Sequence, residues 1–533
     1  MAKPTPPWKF RLADPSGGPV FANQLRVTLT HQNRAITDSQ PNVRQSASGN
    51  SRAVVEGGLV TQTAGEAGEN LSRGDNVALE SDGFLYKTRA TALGTENTAG
   101  EVTTSHSEAV STTDVTRSVA VSGTVLVHAF RTNSATRVAR TVVDPESTAI
   151  TSQTISVIKA NNGTSCDIIK LTDNVAVIAY GVSGDSTIYA KVLSGLDTGV
   201  TQGSELSINT TNTPTGIRLA KVSSSEVVIF ASNPEGNNDI VSYRVTVAGT
   251  TLTDTGTSTT LDSGASSYTL KSAERFGDSD AYMLSFWDSS AVQVKVIGGT
   301  YDTGTITYGA AVAVGTSSSS CASSLGSRSD LLGLVSLRDN SGNIKVAAIT
   351  RTPGSGTLSV GATTTLDTGV ATCNVTTGRV GGSTFAIGFV SSTASNKGEI
   401  SLVRVQDGDT VAELDQEQFD YDGSATEVSP AIVKIAPNRL VMTAGDYDGT
   451  QGVRSFTIDM TTNFGSYIGV VRADTKARMV GAVITSGSSP DPTGLTPGVE
   501  YFADIDGAYA TEEAGGTKRV GMATATNVIS VQH

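Results

Sequence analysis

The sequence predicts an all-β protein, in which a seven-bladed β-propeller is inserted into a small β-domain and preceded by an extended N-terminal arm. Composition and a long-period repeat carry this prediction. Of 533 residues 56 are Gly, whereas only 17% are charged and 5% aromatic. Val and Thr suit strands, and Gly and Ser suit turns. No long stretch has the i, i+3, i+4 apolar spacing of an amphipathic helix.

A short apolar run recurs seven times along the chain, at intervals of 50 to 55 residues. A polar turn commonly precedes the run, and a loop and an alternating strand follow it. Continuous apolar runs are typical of strands buried on both faces, whereas alternation is typical of strands with one wet face. The runs begin at Val125, Val175, Val227, Ala281, Leu331, Phe385 and Leu440.

About fifty residues with about four short strands form the unit of a β-propeller blade. Seven units closed in a ring cover one another's faces and hide their edges. We therefore predict a propeller over residues 104–462, with a β-solenoid as the alternative. Cys166, Cys321 and Cys373 precede their runs by 9, 10 and 12 residues. This places them on equivalent strands, as buried side chains rather than disulfide partners or zinc ligands.

The segments on either side of the repeat, 55–103 and 463–533, carry a second pattern. It reads "GENLSRGDNVALESDGFLYK" from Gly68, "YIGVVRAD" from Tyr467, "GLTPGVEYFADIDGAYA" from Gly494 and "RVGMATATNVISV" from Arg519. This order resembles a small β-domain of bacteriophage tail fibres and virion spike proteins. The matching positions are Gly74, Asp75, Val77, Leu79, Asp82, Gly83, Ile468, Gly469, Val470, Gly494, Leu495, Thr496, Pro497, Gly498, Tyr501, Val520, Gly521, Ala523, Val528 and Ile529.

This resemblance covers about 110 of the 533 residues and departs from the family pattern in two places. Phe502 stands where the family has a second Tyr, and about 380 residues separate the first hairpin from "YIGVV". An inserted propeller explains the separation, because insertion at a loop with neighbouring ends is tolerated. The resemblance implies a virion protein, commonly homotrimeric, that is made in the host cytoplasm. We interpret the polar segment 1–54 as an extended arm that attaches to other virion proteins.

The tripeptide Arg73-Gly74-Asp75 spells a cell-adhesion signal. Its Gly and Asp belong to the domain pattern described above, in which Gly-Asp recurs without a preceding Arg. We therefore interpret it as the turn that opens the Val77–Leu79 strand.

Charge and hydropathy exclude two classes of partner. The net charge is −13 and the sequence pI about 4.9, which argues against a nucleic-acid partner. No apolar run approaches the roughly 18 residues that a membrane span requires, so no membrane insertion is expected. The opening "MAKPTPPWKFRLADPSGG" lacks the apolar core of a secretory signal, which predicts cytoplasmic synthesis.

Motifs of catalysis are missing from the sequence. It has no G-x-S-x-G elbow, P-loop or zinc signature, and none of its four histidines (His31, His106, His128 and His533) lies in a metal or triad motif. We therefore predict no enzyme activity and no catalytic, cofactor-binding or metal residues. Asp-rich turns begin at Asp339, Asp420, Asp446 and Asp504. They could bind Ca²⁺, but they lack the full calcium-loop spacing, and ordinary β-turns are the preferred interpretation.

Candidate ligand contacts are aromatic residues beside loops, namely Trp287, Tyr421 and Tyr447. The favoured hypothesis is a structural virion protein whose propeller binds a host-surface receptor, a glycan or a partner. The alternatives are a tail nozzle or adaptor with an architectural propeller, a polysaccharide-degrading propeller, and an adhesion propeller of cellular origin.

Overall fold

The structure is a computed structural model that describes most of the chain after residue 41. The described residues contain strands, turns and bends but no helix, so none of them forms a helix that could span a membrane. They are 42–45, 51–55, 58–67, 71, 75–80, 84–105, 117–132, 134–144, 149–233, 239–261, 267–277, 280–302, 304–317, 323–327, 331–368, 375–381, 383–391, 397–406, 410–419, 431–436, 438–446, 452–462, 467–471, 480–490, 495, 497, 500–503, 509–510, 519–525 and 528–531. The predicted N-terminal arm lies largely outside this set.

The chain forms two compact units. The first combines Met1–Ala90 with Thr462–His533, and the second is the continuous segment Thr91–Thr461. The first unit opens with the strands β1 (Asn42–Gln45), β2 (Ser51–Val55), β3 (Gly58–Glu66), β4 (Asn76–Leu79) and β5 (Leu85–Lys87).

The second unit contains seven antiparallel sheets of four or five strands, which confirms the predicted seven-bladed propeller. Its strands are β6 (Ala90–Ser105); β7 (Arg117–Ala120), β8 (Val125–Arg131), β9 (Thr136–Val143) and β10 (Ile150–Lys159) of blade 1; β11 (Gly163–Thr172), β12 (Val175–Val182), β13 (Thr187–Ser194), β14 (Thr201–Gln202) and β15 (Leu206–Asn209) of blade 2; β16 (Thr215–Ser223), β17 (Glu226–Ser232), β18 (Ile240–Ala248) and β19 (Thr251–Leu261) of blade 3; and β20 (Tyr268–Arg275), β21 (Ala281–Asp288), β22 (Gln293–Asp302), β23 (Thr305–Tyr308) and β24 (Val312–Thr316) of blade 4.

The remaining three blades follow the same order. Their strands are β25 (Ser323–Ser327), β26 (Leu332–Arg338), β27 (Ile344–Arg351), β28 (Leu358–Val360) and β29 (Thr364–Asp367) of blade 5; β30 (Thr376–Gly381), β31 (Thr384–Ser391), β32 (Lys397–Val405) and β33 (Val411–Phe419) of blade 6; and β34 (Ala431–Ala436), β35 (Arg439–Asp446) and β36 (Gly452–Thr462) of blade 7.

The chain then returns to the first unit with β37 (Tyr467–Val471), β38 (Val480–Pro490), β39 (Glu500–Ala503), β40 (Tyr509–Ala510), β41 (Arg519–Ala525) and β42 (Val528–Val531). The strands of this unit form one eleven-stranded sheet. Within it β3 pairs with β38 and β4 pairs with β37, both antiparallel. The segments before and after the propeller therefore build a single sheet, which confirms that the propeller is inserted into a small β-domain.

The recurring apolar run is the second strand of each blade. In β12 every residue after Val175 is buried, and the third strand β13 alternates over much of its length between buried and half-buried positions. The core lies between neighbouring blades, where Ile178 of blade 2 packs in the same cluster as Val127 of blade 1. Cys166 is a buried thiol in that cluster, as predicted. Cys321 and Cys373 lie outside the described residues.

The ring is closed by a strand from the beginning of the second unit. β6 is the fourth strand of blade 7, beside β36. Its residue Leu93 also donates its backbone N–H to Asp415 Oδ2 of blade 6 at 2.7 Å. β6 begins within the range 55–103 that the sequence analysis assigned to the small domain. The predicted boundary differs from the observed one because the seventh repeat supplies only three strands. The outer edge of its last strand, β36, pairs with a segment about 350 residues earlier in the sequence.

Candidate functional site

A cavity of about 690 Å³ lies in the middle of the propeller. Residues of all seven innermost strands line it, from β7, β11, β16, β20, β25, β30 and β34. In each blade this strand pairs on one side only, with the second strand, so its other edge faces the propeller axis. Eight Lys and Arg residues but only two carboxylates are among the described residues that line the cavity.

Five of these cations occupy the same register position. In every blade, one residue of the innermost strand pairs with the second residue of the second strand. In chain order these residues are Ala120, Lys170, Lys221, Arg275, Ser327, Arg379 and Lys434. Five of the seven blades therefore place a Lys or Arg at one level of the channel. We call Lys170, Lys221, Arg275, Arg379 and Lys434 the cationic ring.

The members of the ring are accessible. Arg379 is exposed, and the other four are half-buried. Lys170 lies 2.9 Å from Asp173, and Arg275 lies 3.9 Å from Asp280. The side chains of both aspartates are more than 70% exposed (84% and 74%), so water screens these two pairs.

The sequence analysis missed this ring, although the sequence contains its signal. Each ring residue is followed by one apolar residue and then by the polar turn that precedes the apolar run. The five instances read "KLTDN", "KVSSSE", "RFGDSD", "RVGGS" and "KIAPN". In each of these five blades, the innermost strand therefore carries its cation at the same end.

Three residues before the ring position of blade 1, Arg117 joins four blades. Its Nη1 donates to Asp167 Oδ2 of blade 2 and to the carbonyl of Leu219 of blade 3, both at 3.0 Å. Its Nη2 donates to Glu274 Oε2 of blade 4 at 2.7 Å. Burial opposes the charge of Arg117, but Asp167 and Glu274 raise its pKa above the usual value. Burial also raises the pKa of Glu274, and Arg117 opposes that change.

A second buried guanidinium extends this arrangement. Arg218 of blade 3 donates Nε to the carbonyl of Lys271 in blade 4 at 2.6 Å. Its Nη1 donates to the carbonyl of Ile217 at 2.6 Å and to Ser165 Oγ of blade 2 at 3.3 Å. The acceptors of these three hydrogen bonds are neutral oxygens. Arg218 therefore joins three blades and adds its positive charge to the channel wall.

His128 is buried in blade 1 behind the channel lining. Its Nδ1 lies 2.7 Å from Ser118 Oγ, and its ring stacks on Phe130 with centroids 6.0 Å apart. Burial lowers the pKa of His128 to about 3. The imidazole is therefore neutral at physiological pH, which agrees with its interpretation as a packed residue of a strand.

Of the three residues predicted to contact a ligand, Trp287 is the one that the structure describes. Trp287 is on β21 and donates Nε1 to the carbonyl of Ser317 at 3.0 Å, so its ring has a structural contact within the blade. Trp287 is not among the residues that line the cavity. Tyr421 and Tyr447 lie outside the described residues. A ligand contact for any of the three stays a prediction.

Of the Asp-rich turns, the one at Asp339 is fully described. Oδ1 of Asp339 accepts the backbone N–H groups of Ser341 and Asn343, each at 2.9 Å. Oδ2 accepts Asn343 Nδ2 at 3.0 Å and lies 2.7 Å from Lys345 Nζ. Protein donors thus occupy both carboxylate oxygens. In the described part of the chain, no three His, Cys, Asp or Glu side chains are grouped as metal ligands.

The structure was compared with known proteins. No protein-family model matches the chain, and no curated protein matches it. Among solved structures, a candidate 6-phosphogluconolactonase of Bacteroides fragilis is 10% identical, with a TM-score of 0.41 over 62% of this chain and 97% of that one.

Two further solved structures have similar values. AofleA of Arthrobotrys oligospora is 10% identical, with a TM-score of 0.39 over 61% of this chain and 94% of that one. A sialidase, NanB of Streptococcus pneumoniae, is 10% identical, with a TM-score of 0.39 over 68% of this chain and 70% of that one. These likenesses carry no residue role over to this chain.

Proposed function

We propose that this chain is a structural component of a bacteriophage virion, an appendage of fibre or spike type. In this proposal the propeller is a binding module for a host-surface group or a partner protein and catalyses no reaction. The chain assembles as a homotrimer, and residues 1–54 attach it to other virion proteins.

The observation that carries this proposal is the placement of the residues that resemble the fibre-type domain. Val77, Val470, Leu495, Tyr501 and Val520 come from both ends of the chain, and each is at most 6% exposed. Asp75 of the same pattern lies 3.1 Å from Lys87 Nζ, across the β4–β5 hairpin. Burial of these five motif residues in one compact unit supports their interpretation as the core of such a domain.

The proposal is tested on gradient-purified particles of the phage that encodes the chain. Quantitative mass spectrometry should find the protein in the particles, and immunogold labelling should locate it on an appendage. A particle reconstruction should show the appendage with three-fold rather than six- or twelve-fold copies. Absence of the protein from particles, with the protein present in the infected-cell lysate, would contradict the proposal. Six or twelve copies at a tail ring would favour the nozzle or adaptor alternative.

A matched pair of variants tests the role of the small domain. Val77→Asp places a charge at a fully buried position and should remove the protein from the particles. Leu79→Asp, two residues further on the same strand, is at a side chain that is 43% exposed and should leave the isolated chain folded. Normal incorporation of Val77→Asp would show that virion attachment does not depend on this domain.

A further inference from the structure

The channel and the whole protein have opposite charge. The chain has a formal net charge of −13, whereas the described residues that line the cavity include eight cations and two carboxylates. Those two carboxylates, Asp167 and Glu274, are both bound to Arg117. Even when the exposed partners Asp173 and Asp280 are counted with the lining, cations outnumber carboxylates by eight to four.

The positive charge has a regular position in the fold. The cationic ring repeats in blades 2, 3, 4, 6 and 7 at one register position, as described above. Surface charges placed without a common role would not follow the register of the blades. Because the five innermost strands run side by side around one axis, their cations converge on the same end of the channel.

The channel wall strengthens the effect of these charges. Behind the ring, the second strands are apolar and buried, so the walls have a low dielectric constant. A cleft of one sign of charge with such walls focuses its field and concentrates counter-ions of opposite sign. The cavity volume of about 690 Å³ lies within the range of small-molecule sites, roughly 300–1,000 Å³.

We propose that the cationic ring binds a small polyanion, a ligand that presents two or more carboxylate, phosphate or sulfate groups to the mouth of the channel. Lys and Arg both bind such oxygens, Lys as a point charge and Arg through a planar fork of donors. Arg117 lies three residues before the ring position of blade 1, and it is paired with the two carboxylates of the lining. This inference concerns the propeller alone and does not depend on the virion proposal.

Titration calorimetry on the full chain tests the inference with three probes, two of them anionic and one neutral. They are inorganic tripolyphosphate, trigalacturonate and, as a neutral control, maltotriose. At least one of the two anions should bind with one site per chain, and the tighter one identifies the preferred acidic group. Raising the salt from about 50 to about 200 mM should weaken this binding, because salt screens the charges. Absence of anion binding, or equal binding of maltotriose, would overturn the proposal.

Variants assign the binding to the ring. Lys170→Gln, Lys221→Gln and Lys434→Gln should each weaken anion binding by about two- to fivefold, and the triple variant by about tenfold or more. The matched control is Lys159→Gln, since Lys159 is a propeller lysine outside the cavity lining that pairs with Glu205 at 2.8 Å. An unchanged affinity in the triple variant, or an equal loss in the control, would contradict the assignment.

A gain-of-function variant keeps the test independent of any loss of stability. Ala120 occupies the ring position of blade 1 and is half-buried. Ala120→Lys adds a sixth cation at the same level and should tighten anion binding by about two- to fivefold. Weaker or unchanged binding in this variant, with the fold intact by circular dichroism, would count against a ring-shaped anion site.

Discussion

Arg117 and Glu274 form an ion pair of 2.7 Å between blade 1 and blade 4, which are separated by two blades on one side of the ring and three on the other. Asp167 of blade 2 completes the group at 3.0 Å. A propeller has no single core, because each blade packs mainly on its neighbours. This contact is different, since it joins strands that are not adjacent in the ring. It therefore braces the channel from the inside.

Removal of Arg117 should destabilise the propeller more than removal of a surface cation. Arg117→Met leaves Glu274 and the 2% exposed Asp167 without their common partner. Because Arg117 and Glu274 are each more than a quarter exposed, we expect a loss of about 2–3 kcal/mol, below the value for a fully buried pair. Urea denaturation monitored by circular dichroism measures it.

The matched control for this prediction is Lys170→Met, which breaks a pair with the 84% exposed Asp173 and should cost less than about 1 kcal/mol. The double variant Arg117→Met/Glu274→Gln should lose less than the sum of its single variants, because the two residues interact. Additive losses would show that the pair does not brace the channel.

His128 should make the stability of the protein depend on pH below neutrality. Its pKa is about 3 in the folded protein and about 6.5 in the unfolded chain. The contribution of neutral His128 to the free energy of unfolding is fully present above pH 6.5. It is lost as the pH falls towards 3, since the unfolded state then binds the additional proton. His128→Phe should therefore reduce the slope of the unfolding free energy against pH by about 1.4 kcal/mol per pH unit within this window.

Two measurements check the His128 prediction. Urea denaturation of the parent and the variant gives the difference in slope, in which the titration of the carboxylates cancels. Proton NMR of the imidazole follows the same group directly, and no protonation should occur above pH 5 in the folded protein. A midpoint near 6.5 would contradict the buried neutral state.

Closure of the ring should depend on the absence of a side chain at Gly94. A Cβ atom at this position would lie 2.7 Å from the carbonyl oxygen of Asp459 in blade 7. Gly94→Ala should therefore displace β6 from β36 and cost about 1–3 kcal/mol. Thermal unfolding followed by circular dichroism measures the change. Gly199→Ala is the control, because no atom lies within 4 Å of a Cβ there. Equal midpoints for the two variants would argue against close packing of the closing strand.

The turn at Asp339 should be stabilised by protein donors and not by calcium. Asp339→Ala should cost about 1–3 kcal/mol, because it removes the acceptor of two backbone N–H groups and the partner of Lys345. Burial opposes the charge of Asp339, but Lys345 and Asn343 lower its pKa below the usual 3.8. The loss of unfolding free energy caused by Asp339→Ala should therefore persist above pH 3.8. It should diminish as the pH falls through the pKa of Asp339 in the folded protein.

The control for the Asp339 prediction is Asp254→Ala, since Asp254 accepts the N–H of Gly256 at 3.0 Å in an exposed hydrogen bond within β19. That change should cost no more than about 0.5 kcal/mol. The difference in unfolding free energy between the parent and Asp339→Ala should be the same in the presence of Ca²⁺ and in the presence of a chelator. A difference that depends on Ca²⁺ would restore the calcium interpretation of this turn.

The sequence by itself determined the all-β class, the seven repeats and the position of the apolar second strand in each. The apolar runs at Val175 and Val227 became second strands, because only a strand covered on both faces by neighbouring blades satisfies a continuous run of apolar side chains. The motif residues at both chain ends also predicted one small domain, since a shared core needs both sets.

Only the tertiary structure decided which distant residues meet. The closing strand β6 has no partner near it in sequence, and Arg117 reaches a carboxylate 157 residues away. The cationic ring is visible in the sequence as five separate "Lys/Arg, apolar, turn" motifs. These five cations line one cavity only because the blades close into a ring, which brings one end of five strands to a common axis. Local propensity and periodicity specify each strand, but convergence of charge is a property of the closed ring.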